Sequence, residues 1–295
     1  MNRFKKTNVI LGTAQIINDY GITNSSKKNL KQALNILSTS NKLDIYTYDT
    51  SKAYLGAHKS IENFIKKDFS KFNIIEKLNS EDLASYNRES RATHWPWLND
   101  FNSQGGNICL MLHNGLDYLK SDCRKDLQSC KKKGLAQLIG LSVYDPEVLE
   151  KCLSYGGFDV VQCPVSIADR RFCNLNIIKK IDKQKVTLHL RSIFLQGLLL
   201  KMPIKKIPFL DEYKQIFFKY DSLFPDYEKK ILLAIKSVLD DIKASIVVGV
   251  ESSRQLKTIY KMFKLKKDKY LMADIYKSRK LWSALPKNSI DPRKW

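Results

Sequence analysis

The chain has 295 residues, 43% of them hydrophobic, a length that fits one α/β barrel of about 250 residues without a domain split. No window approaches the roughly 18 uninterrupted apolar residues of a membrane-spanning helix, so no membrane association is expected. The 51 basic against 30 acidic residues give a formal net charge of +21, but the lysines are spread from Lys5 to Lys294, and no helix-turn-helix or RNA-recognition signature accompanies them. Non-specific adhesion to polyanions at low salt is expected, and a specific nucleic-acid partner is not.

The first residues are basic, but their apolar run is short and no small-residue cleavage site follows, so the segment reads as mature, cytoplasmic sequence. Six cysteines, Cys109, Cys123, Cys130, Cys152, Cys163 and Cys173, form no CxxC pair and are too sparse for a disulfide framework. They read as reduced core fillers, Cys163 included, although it follows Gln162 at a strand end.

Apolar, β-branched runs alternate with helix-period segments along the whole chain, the pattern of repeated βα units around a parallel sheet. Strands are expected at 9–11, 44–48, 72–75, 108–112, 138–141, 159–162, 186–190 and 245–248. Helices are expected at 27–38, with Ser25 or Ser26 as N-cap, and at 57–66, 147–154 behind Asp145-Pro146, 227–240 and 253–263. Eight such units close a barrel.

Two stretches depart from the alternation. Residues 81–106 are irregular, and His94-Trp95-Pro96-Trp97 interrupts what should be the third helix; aromatic packing explains the run better than a ligand site. Residues 200–225 hold three prolines and are too long for a simple βα loop, which predicts an excursion over the barrel mouth. A further amphipathic helix and a tail follow from Tyr270. The expected architecture is one domain, 1–295: an α/β fold, a (β/α)8 TIM barrel with an extra C-terminal helix and tail.

In such a barrel, chemistry sits at the C-terminal ends of the strands. Strand two is followed by Asp49 and then Tyr54, strand three ends on Lys77, and strand four ends on His113. Taken singly, each has an ordinary reading: a helix cap, a rim aromatic, a solvated lysine, a satisfied loop histidine. The segments Asp49 to Gly56, Ile75-Glu76-Lys77-Leu78 and Leu110 to Asn114 together resemble, in order and spacing, the catalytic tetrad segments of the aldo-keto reductase family.

That resemblance spans about residues 8 to 260 and implies a nicotinamide-dependent reduction of an aldehyde or ketone. Hydride transfer to a carbonyl needs a proton donor at the developing alkoxide, and a phenol of pKa about 10 is a poor donor at neutral pH. Lys77 would stabilise the Tyr54 phenolate, Asp49 would hold Lys77 charged and aimed, and His113 would hydrogen-bond the substrate oxygen. No metal is required, and none is suggested: there is no HExxH, and His58, His94, His113 and His189 stand at no metal spacing.

The resemblance also implies a cofactor site made of Gly12, Thr13, Ser142, Gln162, Arg191, Ser192, Leu195, Gln196, Gly197, Gly249, Ser252, Ser253, Arg254 and Gln255. Ser142 and Gln162 would bind the nicotinamide carboxamide. Arg191 replaces an aromatic residue that some members stack on the ring, and a guanidinium plane also stacks. Val143 stands where the family often has Asn.

Ser252 and Ser253 open a helix whose N-terminus attracts phosphate. Arg254 and Lys257 add positive charge there, so NADPH is expected over NADH, whereas Glu251 would repel a 2′-phosphate if it points inward. The YGIT segment near the start and the DPRKW end resemble bacterial members found among surface-polysaccharide functions, which implies a sugar-derived carbonyl substrate. A monomer or small homo-oligomer is expected. The alternative is a regulatory or sensor protein that binds NADP without turnover.

Overall fold

The computed structural model describes residues 8–16, 29–54, 56–66, 68–88, 96–203, 207–240, 242–291 and 293. Eight parallel strands pair in chain order and close, the last against the first. They are β1 (Val9–Gly12), β2 (Thr47–Ser51), β3 (Asn73–Leu78), β4 (Asn107–Leu112), β5 (Leu138–Ser142), β6 (Val160–Pro164), β7 (Thr187–Arg191) and β8 (Ser245–Gly249). The expected barrel is therefore the observed one.

Around it lie α1 (Leu30–Lys42), α2 (Ala57–Ile65), α3 (Ser80–Arg88), α4 (Pro96–Ser103), α5 (Ser121–Lys132), α6 (Pro146–Tyr155), α7 (Leu175–Lys183), α8 (Leu210–Leu223), α9 (Tyr227–Leu239), α10 (Ser253–Lys264) and α11 (Lys269–Trp282). Their starts follow local chemistry. Asp145 caps α6 with Pro146 in its first turn, and Asp226, Ser252 and Asp268 each accept a backbone N–H at the start of α9, α10 and α11. Asn29 caps α1 by accepting from Gln32 N; the expected caps Ser25 and Ser26 lie outside the described residues, as do His94 and Trp95. Trp97 is buried in α4 and packs its ring on His58 and Phe101, centroids 5.2 and 6.2 Å away.

Alternate residues of each strand point into the barrel. Ile10, Ile75, Cys109, Met111, Leu138, Val160 and Val247 form its apolar plug. Below the plug, Asn107 donates to Asn73, which donates to Thr47. Above it, the same parity brings Asp49, Lys77, Gln162 and Arg191 to the mouth. The opposite faces of the strands, with residues such as Leu11, Ile74 and Leu110, pack under the helices in the main core.

Two expectations need correction. Strand two lies three residues later than its apolar run implied, so Asp49 is a residue of the strand and does not follow it. The stretch 200–225 is more than a loop: Leu200 and Lys201 line the mouth cavity, and beyond them comes the 14-residue helix α8, whose Tyr213 and Tyr220 pack on Trp282 of α11 with centroids 6.1 and 5.4 Å away. Two buried tyrosines carry the face that a purely aliphatic pattern would have shown. No helix among the described residues is long and apolar enough to cross a membrane.

Candidate active site

Three strands deliver a bonded triplet to the mouth. Lys77 Nζ donates to Asp49 Oδ1 at 2.6 Å, and Gln162 Nε2 donates to Asp49 Oδ2 at 2.8 Å. Asp49, Lys77 and Gln162 are 3%, 5% and 0% exposed. A buried carboxylate is tolerated only when paired and hydrogen-bonded, and here both oxygens are used. The Lys77 Nζ is thereby fixed on the β2–β3 side of the opening.

Tyr54 stands on the turn after β2. Its N–H donates to Ser51 O at 2.8 Å, its carbonyl accepts from Ala57 N at 3.0 Å, and Ser51 Oγ ties the turn to Lys77 O at 2.9 Å. His113 directly follows β4, its N–H bound to Leu78 O, and its ring meets Tyr54 edge-on with centroids 6.4 Å apart. Burial pushes the His113 imidazole down to about 4, the Lys77 and Arg191 cations push the same way, and Asp49 opposes them. At neutral pH it is an uncharged ring with one N–H to donate, suited to orienting an oxygen and unsuited to serving as a cationic acid.

A cavity opens at this end. Asp49, Tyr54 and Lys77 line one end. Of the expected cofactor residues, Gly12, Gln162, Arg191, Ser192, Gln196, Gly197, Gly249 and Gln255 also line it. Thr13 does not: its hydroxyl is spent on Asp49 O at 3.0 Å. Ser142 is buried in register with Gln162, Leu195 is buried in a second apolar cluster with α8 and α11, and Ser252 caps α10. Ser253 and Arg254 stand outside the lining, Arg254 exposed.

Gln15, Phe194, Lys201, Tyr227 and Glu251 line the cavity although the sequence did not single them out as binding residues. Tyr144 was missed as well. Its ring is sandwiched between the guanidinium groups of Arg191 and Arg293, each 3.9 Å from the ring centroid, and Arg293 is held by a bidentate pair with buried Asp291. Arg191 and Arg293 are about a hundred residues apart, and no local pattern announces the stack. The turn after β7 has left-handed backbone at Ser192 (φ 59°), Leu195 (φ 47°), Gln196 (φ 52°) and Gly197 (φ 96°). Non-glycine residues adopt that conformation rarely, and such strain gathers at binding sites.

The family model described as aldo/keto reductase family matches residues 8–280. The chain belongs to the aldo/keto reductase family. Among solved structures, it is similar to the aldo-keto reductase AKR11C1 from Bacillus halodurans in its holo form, with a TM-score of 0.70 and 17% identity over 96% of this chain and 95% of that one. It is also similar to the glycerol dehydrogenase AKR11B4 from Gluconobacter oxydans, with a TM-score of 0.68 and 14% identity over 97% and 94%. No curated protein matches it in sequence.

As an aldo/keto reductase the chain is an oxidoreductase of carbonyl chemistry that uses a nicotinamide cofactor, and its cavity residues fit such a group. Gln162 Oε1 and Arg191 Nε and Nη2 are buried with no hydrogen-bond partner among the described residues. Buried polar atoms left so cost free energy until a ligand satisfies them. Gly249 has no side chain to compete with Gln15, whose Oε1 would lie 2.2 Å from a Cβ placed there.

Proposed function

We propose that this aldo/keto reductase reduces an aldehyde or ketone with Tyr54 as general acid. The observation that carries the reading is the buried Lys77–Asp49–Gln162 triplet, which shares one cavity with Tyr54. Asp49 holds the Lys77 ammonium charged, and a cation favours a nearby phenol's giving up its proton. Neutral His113 donates a hydrogen bond to the carbonyl oxygen and sets its orientation. The bound nicotinamide supplies the hydride. Gln162 Oε1 and the Arg191 guanidinium, backed by Tyr144, would hold the nicotinamide, the one as a hydrogen-bond acceptor and the other by stacking.

NADPH was the expected form. The cations that argued for it, Arg254 and Lys257, are exposed and stand outside the cavity lining, whereas Glu251 lines it with Lys201 Nζ 4.0 Å away. A carboxylate at the far end accepts from a ribose diol and repels a 2′-phosphate, so Glu251 favours NADH as the second reading. Fluorescence titration of both dinucleotides decides between them.

The glycerol dehydrogenase among the similar structures supports a hydroxyl-rich substrate, in line with the sugar-derived carbonyl expected from sequence, in either direction of reaction. The alternative, a dinucleotide sensor without turnover, leaves the buried lysine and Tyr54 unexplained. Reduced-dinucleotide absorbance followed against a panel of aldehydes and sugars tests the reading. Consumption with at least one compound is expected; tight dinucleotide binding with no turnover on any would replace the enzyme by the sensor.

A further inference from the structure

β3 places two charged residues side by side on opposite faces. Lys77 faces the cavity, while Glu76 points outward, on the face whose other members, Ile74 and Leu78, are ordinary core. Glu76 is 0% exposed. An apolar side chain would fill that place without the cost of burying a carboxylate, so its partners are informative.

Glu76 Oε1 accepts from Lys52 N at 2.9 Å, and Glu76 Oε2 pairs with His58 Nε2 at 2.9 Å. Lys52 precedes Tyr54 by two residues, and His58, in the first turn of α2, follows it by four. The carboxylate therefore grips both ends of the turn that carries the phenol. His58 is in turn seated on the Trp97 ring of α4.

We propose that Glu76 and His58 form a clamp that positions Tyr54 for proton transfer, a role that rests on the general-acid reading of Tyr54. One dipeptide of β3 then sets both partners of the acid: Lys77 presents the cation to the cavity, and Glu76 fixes from behind the turn that presents the phenol. Glu76 and His58 are positioning residues and touch no reacting atom. Misplacement by about 1 Å costs proton transfer on the order of a hundredfold, so the clamp acts on turnover and leaves dinucleotide affinity alone.

The test compares Glu76→Leu, which suits the apolar face of Ile74 and Leu78, with Glu76→Gln. The amide oxygen of Gln still accepts from Lys52 N, and its N–H donates to His58 in the other imidazole tautomer. Hydrogen exchange of the 52–58 segment and steady-state kinetics are measured on both. Glu76→Leu is expected to speed exchange of the Lys52 amide and to lower kcat by at least about thirtyfold, with KM and dinucleotide Kd within twofold. Glu76→Gln is expected to restore slow exchange and most of kcat.

Unchanged exchange in Glu76→Leu overturns the clamp. So does an unchanged kcat, or a loss of dinucleotide affinity in parallel with kcat, which is general damage. If the wild-type protein reduces no carbonyl, the proposed activity fails, and exchange alone still decides whether Glu76 holds the turn.

Discussion

At one end of the cavity, Lys77, Asp49 and Gln162 stand on β3, β2 and β6, buried and joined by bonds of 2.6 and 2.8 Å. At the other end, Gln196, Glu251 and Gln255 stand on the turn after β7, the turn after β8 and the start of α10, partly exposed and held by local bonds such as that of Glu251 N–H to Gln255 Oε1 at 2.8 Å. Strand positions are fixed by ladder bonds and by the barrel plug, so a charge held there keeps its aim. Loop positions are fixed by turn chemistry and tolerate change. On the proposed reading, the contrast teaches that the proton-handling end is set on strands and the far, dinucleotide end on turns.

The largest effect that would break this contrast is at Lys77. Lys77→Met leaves Asp49 buried without its cation, which costs about 3–5 kcal/mol of stability by denaturant unfolding, and turnover is expected to fall by at least about a hundredfold. A variant with near-normal kcat would remove the ammonium from the mechanism. Among the dinucleotide contacts, Arg191→Ala is expected to raise the dinucleotide Kd by about tenfold. Tyr144→Leu, which removes only the support behind the guanidinium, should raise it less. Equal effects of the two would place the binding energy in the stack itself.

Glu251→Gln is expected to shift the ratio of NADPH to NADH affinity toward NADPH by about fivefold, since it removes one charge at a partly solvated site. No shift would mean that the carboxylate does not face the adenosine ribose. The smallest effect concerns pH. Burial holds His113 and His189 down to about 4 in the folded protein, below the unfolded value of about 6.5.

The unfolded chain therefore takes up these protons first, so stability is full above about pH 6.5 and falls toward pH 4. His189→Leu should flatten that decline in denaturant titrations. Over pH 6 to 9, kcat should carry no inflection from His113. An inflection removed by His113→Asn would contradict the neutral ring.

The sequence carried the barrel because apolar runs and helix periods alternate eight times, and Asp49, Tyr54 and Lys77 share one cavity with eight of the fourteen expected cofactor residues, with His113 beside Tyr54 but outside its lining. What it hid is physically specific. The end of β2 was missed because Asp49, Thr50 and Ser51 are polar yet buried, Asp49 and Ser51 on the inward face at the barrel mouth and Thr50 on the opposite one. The helix α8 was missed because Tyr213 and Tyr220 read as polar while burying whole rings against Trp282. The Arg191–Tyr144–Arg293 stack joins distant segments. The direction of Glu251 is a property of a turn, and periodicity says nothing about it.

The central claim is that Tyr54 donates the proton while the rest of the cavity holds the dinucleotide. Single-turnover reduction by Tyr54→Phe, measured beside its dinucleotide Kd, tests both halves at once. Turnover is expected to fall by at least about a thousandfold, with Kd within twofold of the wild-type value. A Tyr54→Phe protein that reduces its substrate at near wild-type rate would contradict the account.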